Sequence, residues 1–193
     1  MTTQKNGFAL GVLIAIGLPL LFILIIVGYY NRIISFDEGI DASWAQVETV
    51  LQRRYDLIPN LVNTVKGFAN QEKEVLTEVT ALRSQWAKAG SVAERAKAAT
   101  GLESALGRLM VISERYPELK SNQNFIRLQD ELAGTENRVA VERRRYNEAV
   151  RKYNVSIRKI PGSMIASFAG LEERDAYFEA TSEAATAPVV DFQ

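Results

Sequence analysis

From Phe8 to Tyr30 the chain runs for 23 residues without a charge, built from Leu, Ile, Val, Phe, Ala and Gly with one proline. About 20 apolar residues suffice to carry a helix across the hydrocarbon of a bilayer, so this run is long enough to span. Pro19 and the glycines Gly11, Gly17 and Gly28 do not argue against it, because membrane helices tolerate both residue types. Tyr29 and Tyr30, followed by Asn31 and Arg32, read as an interfacial belt where the helix leaves the bilayer. A cleaved signal peptide is the rival reading. Its apolar region is usually about 7 to 15 residues and ends in an A-x-A-like site; this run is longer and no such site follows. The glycines are not at GxxxG spacing and give no dimerisation signal. Lys5 and the amino terminus flank one side and only Arg32 lies close on the other, which leans towards a cytoplasmic N-terminus and an exported bulk domain.

Beyond the run the chain is densely charged and close to neutral. Lys5 and Arg32 are the only charged residues before Asp37, leaving 21 basic and 23 acidic residues afterwards. That balance argues against a nucleic-acid partner. The chain has no cysteine, which removes disulfides, thiol nucleophiles and thiolate metal sites together. It has no histidine either, so acid–base catalysis near neutrality and most transition-metal sites would need less common groups. The expectation is a protein that is not an enzyme, with no cofactor and no metal. Carboxylates such as Glu136 with Glu142, or Glu172, Glu173 and Asp175, form no calcium-loop pattern and read as helix-surface residues.

The spacing predicts an all-α fold. Ile40, Trp44, Val47, Leu51, Ile58, Leu61, Val65, Phe68, Val75, Val79, Leu82 and Trp86 recur at alternating intervals of three and four, interrupted only by Arg54 and Glu72. This is expected to be one long helix, or two nearly collinear ones, kinked or divided at Pro59. Ser91 and Glu94 match a capping box opening a second helix, with Leu102, Leu106 and Leu109 on its buried face, ending near Tyr116-Pro117. A third runs from about Ser121 to Ile160, where Pro161-Gly162 ends it, and a shorter fourth from Ser163 to roughly Ser182 folds back. The expected organisation is a flank at 1–7, a transmembrane helix at 8–30, an elongated antiparallel bundle of three long helices plus a shorter C-terminal helix at 31–183, and a tail at 184–193. The tail's Pro188-Val189-Val190-Asp191-Phe192 either docks as an extended strand or stays loose.

Several separate motifs then stand in order: Trp44; Arg53-Arg54-Tyr55-Asp56-Leu57-Ile58-Pro59-Asn60-Leu61-Val62; Tyr116-Pro117-Glu118-Leu119-Lys120; and Phe125-Ile126-Arg127-Leu128-Gln129-Asp130-Glu131-Leu132. Thr135-Glu136-Asn137-Arg138-Val139-Ala140 follows, then Tyr146-Asn147 and Tyr153-Asn154. Together they closely resemble the LemA family, from the span to about Phe178. The resemblance implies a bacterial membrane protein with one N-terminal span and a largely helical domain, and it implies no reaction. Some relatives look like factors that make or shape membrane compartments. Lipid-modified members carry a cysteine near the N-terminus; this sequence departs from that pattern, so its anchor would be the helix alone.

Asn60, Asn63, Asn137, Asn147 and Asn154 lie near helix stripes, where a buried amide costs free energy unless hydrogen-bonded. They are expected to join Tyr55, Tyr146 and Tyr153 in a polar network between helices, with a ligand pocket as the sharper alternative. Arg54 and Glu136 are expected to form a buried or interfacial ion pair. Between Arg138 and Lys159 eight basic residues face only Glu142 and Glu148, a membrane-surface or phosphate-binding pattern. If one helix leaves the bilayer, the second returns and the third departs, that cationic end lies far from its own membrane and reads as solvated, its charge complementing the helix dipole.

The sequence thus points to a single-pass protein of the bacterial cytoplasmic (inner) membrane. Its partners are expected to be the lipid bilayer, further copies of itself as a homo-oligomer, and a membrane protein. Trp44 and Trp86 are the expected anchors of the assembly surface. The alternative is a sensor whose bundle binds a small ligand and regulates a membrane partner. A hydrolase, the third reading, would require carboxylate-dependent turnover.

Overall fold

The computed structural model describes residues 3–69 and 71–178. Among these the structure is all-α, with six helices and no strand: α1 (Thr3–Phe68), α2 (Lys73–Lys88), α3 (Val92–Ser113), α4 (Pro117–Lys120), α5 (Gln123–Arg158) and α6 (Gly162–Ala169). The tail at 184–193 lies outside the described residues; the expected fourth helix, Ser163 to roughly Ser182, is shorter, because the left-handed Gly170 ends α6 at Ala169 and residues 171–178 have no regular structure. The chain forms two compact units, Met1–Ala42 with Glu148–Asp175, and Ser43–Asn147 with Ala176–Gln193.

In the first unit the apolar run lies within α1, and nearly all of its residues from Leu13 to Tyr30 are uncovered. Leu13 is 69% exposed and Leu24 61%. An apolar surface of that extent is stable only against lipid or another apolar surface. Ile33 and Ile40 turn the next part of α1 inward, where Val150, Tyr153 and Ile157 of α5 and Ile165 and Ala166 of α6 are also buried. Glycine is needed at position 162, because a Cβ there would collide with the Ser156 carbonyl oxygen. Gly170, at φ 68°, supplies the left-handed residue that terminates α6.

The second unit is an antiparallel arrangement of the later part of α1 with α2, α3 and the first part of α5. Val47, Leu51, Ile58, Leu61 and Val65 of the expected stripe are buried, with Tyr55 beside them, whereas Phe68 at the end of α1 is 39% exposed. The stripe's continuation differs. The helix is not divided at Pro59 and does not run on in one direction; α1 continues to Phe68 and α2 folds back along it. Tyr55 stands 13 residues before Phe68 and Trp86 13 residues after Lys73, and their rings stack with centroids 4.3 Å apart. Helix α3 reverses again, opened by the anticipated capping box: Ser91 accepts from the Glu94 amide, and the Glu94 carboxylate accepts from the Ser91 amide. Asn122 opens α5 by accepting from the amides of Asn124 and Phe125 at 2.9 and 3.1 Å.

Pro59 sits inside α1 for an identifiable reason. A proline in mid-helix leaves the carbonyl four residues earlier without its amide donor. That carbonyl belongs to Tyr55, and Arg83 Nε on α2 donates to it at 3.3 Å.

Candidate functional site

In the second unit, polar and aromatic side chains converge on the buried face of α1. Arg54, 5% exposed, pairs with Glu136 of α5, as its place in the apolar stripe anticipates. Burial pushes the Tyr55 hydroxyl well above the ordinary tyrosine range, against the opposing pull of the Arg54 and Arg143 guanidinium groups. Arg143 pairs with Glu103 of α3 at 3.0 Å and lies over the Phe178 ring at 5.1 Å. Phe178 in turn stacks on Trp44 at 5.9 Å, and Tyr146 meets both rings edge-on at 5.7 Å.

Both tryptophans are therefore committed inside this unit. Trp86 is 7% exposed, held between Tyr55 and the Arg95 guanidinium, and Trp44 is half-buried against Phe178 and Tyr146. Of the two expected anchors of an assembly surface, Trp86 is core, whereas Trp44 keeps part of its indole at the surface. Once α2 folds back, the indole that would have extended a free stripe becomes core.

The asparagines divide into two groups. Asn60, Asn63 and Asn137 are exposed, as is Pro59, and they lie outside any buried network. Asn147 and Asn154 do bond, but to main chain. Asn147 Nδ2 donates to the Phe178 carbonyl at 2.8 Å and its Oδ1 accepts from the Phe178 amide at 2.9 Å. In the first unit Asn154 does the same for Arg174, at 2.9 and 3.0 Å, and Tyr153 donates to the Glu172 carbonyl at 2.9 Å. One carboxamide satisfies both backbone groups of a residue that has no helix or sheet to satisfy them. Arg174 is also fixed by Asp37 of α1, at 2.9 Å. Burial raises the Tyr153 hydroxyl's pKa, with Asp37 adding to the shift and Arg174 opposing it.

Arg83, Arg143, Asp37, Arg174 and Phe178 carry these contacts and were not singled out by spacing. The signal available for the clamps is the repeat Tyr146-Asn147 and Tyr153-Asn154, seven residues apart on one helix.

The basic segment is also placed differently from the expectation. In the second unit Arg143 is spent on Glu103, and Arg145 pairs with Glu142 at 2.8 Å. In the first unit, Arg151, Lys152 and Lys159 line one cleft with Tyr29 and Arg32 of α1, at the end of the apolar run. The cationic end of α5 thus lies beside the exit of the span. The turn after Phe68 adds a reversal that the sequence reading did not count.

Such an arrangement grips main chain, holds charge beside an apolar span and packs helices in register. Comparison with known proteins agrees with the motifs. Residues 43–192 match the model of the LemA family. The chain is 28% identical to the magnetosome protein MamQ 2 of Paramagnetospirillum magneticum, over 82% of this chain and 67% of the relative. It is 27% identical to the magnetosome protein MamQ of Magnetospirillum gryphiswaldense, over 82% and 68%. It is 23% identical to protein LemA of Metamycoplasma hominis, over 80% and 69%. With most of its length matched by that family and the matching motifs placed on its buried helix faces and clamps, the chain belongs to the LemA family.

Proposed function

We propose that this LemA family protein is a membrane-anchored helical scaffold or adaptor, acting by self-assembly and by binding a membrane partner rather than by catalysis. The observation that carries the reading is α1 itself. Its apolar run is exposed from Leu13 to Tyr30 except at the half-buried Ile26, and continues without a break into the helix that supplies the second unit's buried stripe. A sequence without cysteine or histidine supports a binding role over a catalytic one. The relatives named as magnetosome proteins motivate extending that role to membrane organisation or remodelling. The flanking charges favour the cytoplasmic membrane with the bulk of the chain exported.

The test is crosslinking in intact bacterial membranes followed by mass spectrometry. Abundant links between copies support a homo-oligomeric scaffold, and reproducible links to one other membrane protein support an adaptor. A chain that forms neither, and stays monomeric in detergent over a broad concentration range, refutes both.

A second reading, a ligand sensor, draws on a specific observation. Tyr55 Oη, Trp86 Nε1 and Arg143 Nε and Nη2 are buried donors without a hydrogen-bond acceptor among the described residues. Groups of this kind are costly unless something polar meets them. A large thermal shift from one small anion in a metabolite screen would favour this reading over the scaffold.

A further inference from the structure

The cleft of the first unit has a volume of about 340 Å³ and opens where α1 leaves its apolar run. Four cations line it, Arg32, Arg151, Lys152 and Lys159, and no carboxylate does. Lys152 is paired with Glu148 at 3.1 Å, whereas Arg32, Arg151 and Lys159 have no ion pair among the described residues. Like charges lining one cleft repel unless an anion joins them, and Glu148, which acts on Lys152 and Arg151, offsets only part of this charge. Tyr29, on the same wall, adds a phenol that can donate to an oxyanion.

A ridge of uncovered apolar side chains follows in the sequence: Ile160, in the turn before α6, and Met164 and Phe168, four residues apart on α6, are 82%, 68% and 98% exposed. Ile160 and Phe168 are thus more uncovered than Leu13 in the apolar run, and Ile160 also lines the cleft. Water is a poor surrounding for such a ridge, and hydrocarbon is a good one. A run of 23 apolar residues is about as long as the bilayer core is thick, which puts Tyr29 to Phe36 at the headgroup level.

From this juxtaposition we infer that the cleft binds the phosphate of an anionic phospholipid in the membrane that α1 enters, with Ile160, Met164 and Phe168 seated among the acyl chains. Arg32, Arg151 and Lys159 hold the phosphate, and Tyr29 orients it. The bound lipid would offset part of the cationic charge and cover the ridge at one stroke, which neither a soluble anion nor an apolar peptide does. The inference rests on the anchoring role proposed for α1.

Full-length protein in nanodiscs of equal phosphatidylcholine and phosphatidylglycerol, released and weighed with its retained lipids by native mass spectrometry, tests the assignment. Wild type is expected to retain phosphatidylglycerol preferentially. The variant R32Q/R151Q/K159Q is expected to lose that preference by about tenfold or more, given the attraction each cation has for an anionic surface. The charge-matched variant R53Q/R138Q/R144Q, altered at exposed sites of the second unit, is expected to keep it. No preference in wild type, equal loss in both variants, or displacement of the lipid by excess inorganic phosphate would each overturn the assignment. Circular dichroism checks the helicity of the triple variant, and R151Q alone serves if that is reduced. A fluorophore on Phe168→Cys should be quenched by brominated acyl chains; an unquenched label overturns the seating of the ridge. Carbonate extraction separates the two failures, because release of wild type would remove the anchor itself, whereas retention with no lipid preference would remove only the cleft.

Discussion

Arg83 donates to the Tyr55 carbonyl, the acceptor that Pro59 leaves without an intrahelical partner. A defect in α1 thereby becomes a docking point for α2, close to the place where Trp86 stacks on Tyr55. Restoring the amide with Pro59→Ala should satisfy the same carbonyl from within the helix. Arg83→Met is then expected to cost about 0.5–1.5 kcal/mol in the wild-type background and little in the Pro59→Ala background. Thermal unfolding of the four proteins completes the double-mutant cycle, and equal costs in both backgrounds would dissociate Arg83 from the proline.

The carboxamide clamps make graded predictions. Asn154→Asp keeps an acceptor for the Arg174 amide but loses the donor to the Arg174 carbonyl; Asn154→Ala loses both. Hydrogen exchange at the Arg174 amide should rise little in the first and strongly in the second. Either substitution should lower stability by about 1–3 kcal/mol, the usual cost of stranding a half-buried polar group.

Tyr55 predicts an alkaline weakness. Its folded pKa lies above the ordinary value, so the unfolded chain releases the phenolic proton first. The stability tied to the neutral phenol is complete below pH about 10 and is lost as pH rises beyond that. Tyr55→Phe should reduce that alkaline slope, leaving the part due to Tyr116 and Tyr153, whose pKa values are also raised. At neutral pH the substitution should be neutral or stabilising by up to about 1 kcal/mol, because it removes a buried hydroxyl that has no partner among the described residues. Melting curves across pH 7 to 11 compare the two, and a large loss at neutral pH would reveal a partner for the hydroxyl.

Two glycines should respond in opposite directions. At Gly162 a Cβ meets the Ser156 carbonyl, which cannot rotate away, so Gly162→Ala is expected to cost about 1–3 kcal/mol or more. At Gly134, inside α5, a Cβ meets nothing within 4 Å, and Gly134→Ala should stabilise by about 0.5–1 kcal/mol through helix propensity. Their melting temperatures, measured side by side, decide.

Much of this was legible in the sequence, and the misreadings have a common cause. The stripe from Ile40 to Val65, the capping box at Ser91 and Glu94 and the pairing of Arg54 with Glu136 follow from local rules of period, capping and charge burial. Pro59 drew the expected division of the helix to itself because the rule for proline is local, while the arginine that meets the freed carbonyl comes from another helix. With the turn moved beyond Phe68, one helix became two, and the number of reversals changed. The cationic end of α5, expected far from the membrane, lies instead beside Arg32. Asn147 and Asn154 were read as bridges between helices because periodicity describes regular elements only. The partners they hold, Phe178 and Arg174, lie in a segment without regular structure, and no spacing rule announces where such a segment docks.

The placement of the two tryptophans has a spectroscopic consequence. Both indoles, Trp44 and Trp86, belong to the second unit, each against an aromatic neighbour, and the chain has no others. Intrinsic tryptophan emission is consequently a dye built into one unit and silent about the other. A melt followed by emission reports the second unit, and one followed by far-ultraviolet circular dichroism reports all the helices. Tryptophan introduced at Phe36 in a chain lacking the native pair would light the first unit instead.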